Sequence, residues 1–255
     1  MNQGRRVVNR WIVRALQRWR WRITHTRKFP KADLLSSLLN LEERGFRPQA
    51  VLDIGANKAK WSRRVKLVFP EAHVLMIEPQ EEMRPYLDRF CRRHSGCRWL
   101  LAGCGNRVGT ATLTVCPDTV STSFAIDAQV AAREGWERRE VPITTVDALV
   151  AQGETPLPDI LKIDAEGLER EILEGARSVL GKTELVFVEA HLFGDADHPS
   201  SLLSLTQYME ELGYAPYDFT WFGKRPYDGA IGLSEVAFAR RDGQLRAFRG
   251  WSRAA

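Results

Sequence analysis

The stretch PDILKIDAEGLERE, residues 158–171, indicates the architecture of this chain. It begins with an apolar run, 160–163, and continues with the carboxylates Asp164, Glu166 and Glu169 at the predicted start of a helix. A strand that leads directly into a helix is typical of a parallel α/β sheet, and such sheets bind ligands at the carboxyl ends of their strands. The stretch therefore predicts an acidic site at that edge of a sheet.

Strand-like and helix-like segments alternate along the chain around this stretch. The sequence predicts sheet strands at 50–54, 73–77, 98–101, 160–163, 184–189 and 235–239, and helices at 33–44, 82–94, 146–151 and 202–212. Two further helices carry Trp61 and Ile172, and the turn-rich segment 102–145 has strand signals at 111–115 and 140–143. This alternation predicts one α/β domain with a mostly parallel seven-stranded sheet and helices on both faces.

Charge is distributed unevenly along the 255 residues of the chain. Ten of its 37 Lys and Arg residues, and none of its 32 Asp and Glu residues, lie within residues 1–32. The remainder carries 27 basic and 32 acidic residues, which argues against a protein that coats nucleic acid. The four cysteines of the chain lack the spacing of metal ligands. No apolar run reaches the roughly 18 residues of a membrane-spanning helix, and the N-terminal residues lack the apolar core of a signal peptide. We therefore expect a cytoplasmic protein.

Residues 5–23 combine basic and aromatic side chains at helical spacing. The apolar stripe consists of Val8, Trp11, Ile12, Ala15, Trp19 and Ile23, and another face carries Arg10, Arg14 and Arg18. A basic amphipathic helix of this kind is typical of segments in an anionic membrane interface, at the inner membrane face for a cytoplasmic protein. Self-association or packing on the domain is equally compatible with the pattern. We interpret residues 1–32 as a basic amphipathic extension that precedes a domain at 33–255.

Acids and a glycine mark the ends of the first two predicted strands. Asp53 and Gly55 lie in VLDIGAN (residues 51–57), and Glu78 follows 25 positions after Asp53 in MIEP (residues 76–79). A glycine turn lets a ligand approach the backbone, and the second carboxylate can accept both hydroxyls of a ribose. A dehydrogenase is a distant alternative, because the turn lacks the G-x-G-x-x-G fingerprint. Structural alternatives are an ordinary helix-entry turn at Gly55 and a cap at Glu78.

The motifs VLDIGAN, MIEP and LKIDAEG together resemble the FkbM family of S-adenosylmethionine-dependent methyltransferases, over residues 50–240. The resemblance implies a Rossmann-like class I methyltransferase fold that binds S-adenosylmethionine. It implies that Asp53 reaches the ammonium group of the cofactor through the turn or through a water, and that the adenine lies near 102–104. It also implies that 121–123 forms either a lid or a generic loop. The cofactor-binding residues expected on this basis are Asp53, Gly55, Ala56, Asn57, Glu78, Pro79, Gly103, Cys104, Ser121 and Asp164.

Ala59 departs from the family pattern Asp-x-Gly-Ala-Asn-x-Gly, in which the last position is glycine. A methyl group is tolerated there at a negative φ, whereas a positive φ would favour glycine and weaken cofactor binding. This departure supports an alternative function, a non-catalytic methyltransferase-like module that binds a membrane or protein surface.

The carboxylates after the fourth strand are candidates for the chemistry of methyl transfer. Displacement at a sulfonium needs an aligned nucleophile, and a hydroxyl needs a base or a metal to help it. Asp164 is the first choice for base or metal ligand, and Glu189 and His191 on the neighbouring strand are further catalytic candidates. Oxygen ligands suit Mg²⁺ better than Zn²⁺, so Asp164 and Glu166 are candidate Mg²⁺ ligands. A favourable charge in the first helical turn is the alternative for Glu166 and Glu169.

Two further groups of polar residues allow more than one interpretation. Lys162 either neutralises these acids or caps the sheet, and His191, Asp195, Asp197 and His198 form either a small metal cluster or a polar loop. The family resemblance implies O-methylation of a hydroxyl, for which we expect a sugar or glycan-like acceptor, although enzymes of the FkbM type also modify polyketide hydroxyls. If the extension binds a membrane, a lipid-linked saccharide becomes the expected acceptor.

Overall fold

A seven-stranded sheet forms the centre of the computed structural model, which describes residues 32–119, 121–194, 198–248 and 250. The strands are β1 (Ala50–Ile54), β2 (His73–Glu78), β3 (Cys97–Leu101), β4 (Gly103–Cys104), β5 (Gly109–Val115), β6 (Glu137–Thr144), β7 (Ile160–Ile163), β8 (Leu185–His191), β9 (Tyr214–Lys224) and β10 (Ile231–Arg240). The helices are α1 (Leu34–Glu43), α2 (Lys60–Val68), α3 (Arg84–Arg93), α4 (Ala128–Glu134), α5 (Val146–Ala151), α6 (Glu169–Glu174) and α7 (Leu202–Glu211), with 3₁₀ turns at Glu81–Met83 and Gln244–Arg246.

The strand order of the large sheet is β3-β2-β1-β7-β8-β10-β9. The first five strands in this order are parallel, and β10 runs antiparallel to both of its neighbours. A second sheet of three strands, β4-β6-β5, lies beside it. The prediction of a mostly parallel seven-stranded α/β sheet is therefore confirmed.

Both faces of the large sheet are covered by helices. Val51 and Leu52 follow each other on β1 but belong to different core clusters, because successive strand residues point to opposite faces. The cluster with Val51 includes side chains of α1, α2 and α3, and the cluster with Leu52 includes side chains of α5, α6 and α7. Helices on opposite faces leave the strand ends open, and this is where the candidate site lies.

The structure corrects one expectation about the stretch at 158–171. The helix does not begin at Asp164, because α6 starts at Glu169 and the intervening residues form a loop. Glu166 has φ 49° and Gly167 has φ 103°, and left-handed residues of this kind cannot continue a right-handed helix. Glu166 is therefore not a first-turn helix residue, whereas Glu169 is.

Sequence reasoning also missed α4 and the edge strand β9. Strand β9 contains Pro216 and Gly223, which are unfavourable inside a strand but tolerated at the edge of a sheet. Helix α4 has only seven residues, too few for a clear periodic pattern.

Residues 1–31, which carry most of the predicted extension, lie outside the described residues. The predicted amphipathic helix and its membrane or self-association role therefore remain predictions. Within the described part of the chain, no helix combines the length and the apolar character needed to cross a membrane.

Candidate active site

A cavity of about 450 Å³ opens at the carboxyl ends of β1, β2, β7 and β8. Its volume is in the range of small-molecule sites in proteins. Ten of the residues predicted for cofactor binding, catalysis or metal binding line it: Gly55, Ala56, Asn57, Glu78, Pro79, Gly103, Cys104, Asp164, Glu166 and Glu189. The other three predicted residues do not line this cavity: Asp53, Ser121 and His191.

Glu78 at the end of β2 holds its carboxylate against the turn after β1. It is 2% exposed and accepts hydrogen bonds from the backbone N–H of Asn57 at 2.7 Å and of Gln80 at 3.0 Å. Burial raises the pKa of Glu78, and these two N–H groups oppose the shift. Each carboxylate oxygen keeps a second lone pair, so the fixed carboxylate can still accept hydrogen bonds from a ligand.

Gln80 is a lining residue that sequence reasoning missed. Its Nε2 and the Nδ2 of Asn57 both donate to the backbone oxygen of Thr119, at 3.1 and 2.9 Å. Its Oε1 is buried and has no hydrogen-bond partner among the described residues. Gln80 follows Glu78 by two residues, directly beyond the end of the strand, and this position in the sequence could have indicated that it lines the site.

Gly55 joins the ends of β1 and β7. It has φ 73°, and a Cβ atom at this position would lie 1.7 Å from the backbone oxygen of Asp164. Only glycine fits so close a contact, so the requirement for Gly55 comes from strand packing. The same contact brings the Asp164 loop to the turn that precedes α2.

Ala59 adopts the conformation that the sequence analysis identified as unfavourable. Its φ is 55°, immediately before α2 begins, and its side chain is fully buried. A non-glycine residue in this region costs roughly 1–2 kcal/mol. The cavity is nevertheless lined by the three preceding residues, 56–58.

Asp53 lies behind the cavity wall and is fully buried. Its Oδ2 accepts a hydrogen bond from Ser62, and its Oδ1 lies 3.2 Å from Nζ of Lys162. The carboxylate is thus directed to Lys162 and Ser62, and the expected contact with the cofactor ammonium through the turn or a water remains a prediction.

Lys162 is a buried cation that connects two carboxylates. Its Nζ lies 3.3 Å from Oδ2 of Asp164 and donates to the backbone oxygens of Ile54 and Gly55, at 3.1 and 2.8 Å. Burial alone would lower the pKa of Lys162, but Asp164 and Asp53 outweigh it and the pKa is raised. Of the two interpretations that the sequence left open, the structure favours neutralisation of acids.

Asp164, Glu166 and Glu189 form an acidic cluster whose closest oxygens all lie within 4.8 Å of one another. Burial and the neighbouring Asp164 raise the pKa of Glu166 to about 7 and that of Glu189 to about 9. Glu235 on β10 also lines the cavity, accepts a hydrogen bond from Thr220, and has a pKa raised to about 7 by burial. Glu235 was missed, although an acid within the apolar run SEVAFA is an available signal.

Glu169 orders the loop that carries this acidic cluster. It is 1% exposed, and its Oε1 accepts from the backbone N–H of Ala165 at 3.1 Å and of Gly167 at 3.2 Å. Its Oε2 accepts a hydrogen bond from Ser200. These contacts hold both sides of Glu166 in place.

His191 lines a second cavity, together with Phe193, His198 and Arg225. Its ring centroid lies 5.2 Å from that of His198, and burial lowers the pKa of His191. The structure therefore does not bring this catalytic candidate to the acidic cluster, because His191 lies further along β8 than Glu189. Asp195 and Asp197, the other members of the suggested metal cluster, lie outside the described residues.

Ser121 is directed away from the first cavity. Its hydroxyl donates to Asp118 at 2.7 Å, whereas Thr122 and Phe124 of the same segment line the cavity. Ser123 donates to the backbone oxygen of Glu166 at 2.7 Å. The segment after residue 120 thus contacts the acidic loop through Ser123 and not through Ser121.

Comparison with known proteins identifies the family. Residues 53–216 match the methyltransferase FkbM domain, which is more than half of the chain. The chain belongs to the FkbM methyltransferase family. Together with the sheet order, this match shows a Rossmann-like class I methyltransferase fold, a fold that binds S-adenosylmethionine.

A curated relative is similar over part of the chain. The hexuronic acid methyltransferase AglP of Haloferax volcanii is 38% identical over 66 residues, which are 26% of this chain and 28% of that protein. The similarity thus spans about a quarter of the length of this relative.

Solved structures of methyltransferases show distant similarity. The precorrin-6y C5,15-methyltransferase of Geobacter metallireducens has a TM-score of 0.42 and 13% identity, over 79% of this chain and 86% of that chain. TYW2 of M. jannaschii, solved in complex with AdoMet, has a TM-score of 0.42 and 14% identity, over 79% of this chain and 76% of that chain.

Proposed function

We propose that this methyltransferase moves the methyl group of S-adenosylmethionine to a hydroxyl of a sugar or glycan-like acceptor. One observation carries the proposal: Glu78 and the acidic cluster of Asp164, Glu166 and Glu189 line the same cavity. The first suits the ribose of a cofactor, and the second suits an acceptor that must lose a proton.

The residues around Glu78 fit the nucleoside part of the cofactor. Glu78 has free lone pairs, so it can accept hydrogen bonds from hydroxyl groups. The cavity wall at Gly103 has room only for a glycine beside Phe124, because a Cβ atom at position 103 would lie 2.6 Å from the Phe124 ring. When bound, the cofactor supplies an electrophilic methyl group on a sulfonium.

The acidic cluster supports proton removal from the acceptor. Lys162 keeps Asp164 paired and in place, whereas Glu166 and Glu189 have raised pKa values of about 7 and about 9. A base is most effective when its pKa lies near the working pH. We therefore propose that the interacting pair of Glu166 and Glu189 takes up the proton of the acceptor hydroxyl. Asp164 then acts mainly by orientation and charge.

The same three carboxylates have the donor chemistry for Mg²⁺, which prefers oxygen ligands. A divalent cation would compete with Lys162 for Asp164 and with protons for Glu166 and Glu189. We therefore favour the base over the metal as the group that activates the acceptor.

The acceptor class rests on the partial relative. AglP is a hexuronic acid methyltransferase, and its similarity to this chain supports a sugar acceptor although it covers only 66 residues. Ala59 is the observation behind the second candidate, a non-catalytic module, because it replaces the family's glycine in the turn whose preceding residues line the cavity. Cofactor titration separates the two functions.

The test is calorimetric titration of S-adenosylhomocysteine into wild type, Glu78→Gln and the exposed control Glu71→Gln. We expect wild type and control to bind, and Glu78→Gln to lose most of the affinity because it cannot accept both ribose hydroxyls as a carboxylate does. A wild type that does not bind supports the non-catalytic module and contradicts the enzyme.

The acceptor is then tested with isotope-labelled S-adenosylmethionine and a panel of hexuronates, neutral sugars and non-sugar alcohols. Transfer to a sugar hydroxyl that is lost in Glu166→Gln and Glu189→Gln supports the proposal. Transfer only to amines or non-sugar alcohols contradicts the proposed acceptor class.

A further inference from the structure

One side of the cavity opening is basic. Three residues of the cavity lining, Lys60, Arg64 and Trp221, are exposed and so mark its opening. We call these three residues, together with the lining residues 32–34, the cavity mouth. Ala32, which lines the cavity, directly follows the basic segment 1–31 in the sequence. Asp33, the one acid in the mouth, caps α1 by accepting a hydrogen bond from the backbone N–H of Ser36 at 3.0 Å.

Helix α2 extends this basic surface. Lys60, Arg63 and Arg64 are exposed on it, and the helix contains no acidic residue. No carboxylate among the described residues pairs with these three side chains. By contrast, residues 33–255 together carry more acidic than basic residues, so an acid-free basic helix beside the cavity differs from the average of the domain.

Apolar side chains accompany these charges. Trp221 is 45% exposed at the mouth, and Leu67 is 36% exposed on α2. The extension adds Trp11 and Trp19 at helical spacing. Cations combined with exposed tryptophan and leucine fit a lipid interface, where headgroup phosphates meet acyl chains. A nucleic acid backbone would use the cations but leave the apolar side chains in water.

We propose that the cavity mouth docks on an anionic phospholipid surface, with the N-terminal extension as a second contact to the same surface. The active-site cavity then opens toward the membrane. Taken with the proposed methyl transfer, on which this step rests, the geometry favours an acceptor that is anchored in lipid. Membrane docking itself does not depend on the chemistry.

The test is co-sedimentation of the full chain with vesicles of equal parts phosphatidylcholine and phosphatidylglycerol, compared with phosphatidylcholine alone. The mouth variant is Lys60→Gln/Arg63→Gln/Arg64→Gln. The matched control is Arg89→Gln/Arg92→Gln/Arg93→Gln, which removes three exposed cations from α3, the helix that packs on the edge strand β3. A third variant, Arg10→Gln/Arg14→Gln/Arg18→Gln, tests the extension.

Wild type is expected to bind only the anionic vesicles, and less strongly at high salt. The mouth variant should lose about 100-fold in partitioning, because each cation near an anionic surface contributes about 1 kcal/mol. The control should bind like wild type, and the extension variant should lose binding as well. Thermal unfolding of each variant confirms that it is folded.

Three results would overturn the proposal: no binding of wild type to anionic vesicles, equal losses in mouth variant and control, or preferential binding to a DNA duplex added as competitor. S-adenosylhomocysteine titration is run on the same preparations. Loss of cofactor binding with intact vesicle binding would contradict the proposed function and leave the docking surface standing.

Discussion

Ala59 combines a left-handed backbone with a buried methyl group. Ala59→Gly relieves roughly 1–2 kcal/mol of backbone strain but loses about 0.8 kcal/mol of methyl burial. We expect the free energy of unfolding to rise by about 0.5 kcal/mol in urea titrations. The control Ala132→Gly, at an exposed position in α4, should lower it by about 1 kcal/mol. Equal losses in both variants would show that the left-handed angle carries no strain.

Glu235 makes stability depend on pH. Burial raises its pKa from 4.5 to about 7 in the folded state, so the folded state binds more protons than the unfolded state between these values. Stability from this residue is therefore greatest below the unfolded pKa and is lost as the pH rises through about 7.

The substitution Glu235→Gln removes this pH-dependent loss of stability, and the side-chain amide keeps an oxygen that accepts the hydrogen bond from Thr220. We expect the variant to match wild type near pH 5 and to exceed it by on the order of 2 kcal/mol near pH 8. Urea unfolding at both pH values measures the difference. A difference that does not change with pH would contradict the assignment.

At the scale of elements, the loop between β7 and α6 determines where the acidic cluster lies. Glu169 binds the backbone N–H groups on both sides of Glu166, and neither contact involves Glu78. Glu169→Gln weakens these charge-assisted bonds, so we expect methyl transfer to fall at least about tenfold while the affinity for S-adenosylhomocysteine stays within about twofold.

The control for this loop is Glu174→Gln on the same helix, which weakens a partly exposed pair with Arg170 and a 3.4 Å hydrogen bond from Asn106. It should keep both activity and cofactor affinity. If Glu169→Gln weakens cofactor binding as strongly as it lowers turnover, the loop serves the whole cavity rather than the acidic cluster.

For the whole molecule, ligand binding should appear as thermal stability. S-adenosylhomocysteine at about 100 times its dissociation constant should add about 2.7 kcal/mol, and the melting temperature should rise accordingly. Mg²⁺ should leave the melting temperature at pH 7 unchanged, because burial and Asp164 raise the pKa of Glu189 to about 9, which disfavours a metal-binding carboxylate, and Lys162 already pairs with Asp164. A clear rise with Mg²⁺, reversed by a chelator, would favour the metal site over the base.

The sequence alone determined the fold class and most strands of the large sheet, because buried parallel strands are apolar runs bounded by turns. It also located Glu78, Asp164 and Glu189, since a carboxylate directly after or at the end of such a run must lie at the carboxyl edge. The strand β9 and the helix α4 escaped because an edge strand with proline and a seven-residue helix carry weak periodic signals.

Only the tertiary structure decided which of these residues share a cavity. Lys162 and Asp53 are 109 positions apart and meet because β1 and β7 are neighbours in the sheet. Glu235 lines the cavity because β10 pairs with β8, and His191 is directed to another cavity although it follows Glu189 by two residues. Strand order and the left-handed turns at Ala59 and Glu166 depend on long-range packing, which no local pattern encodes.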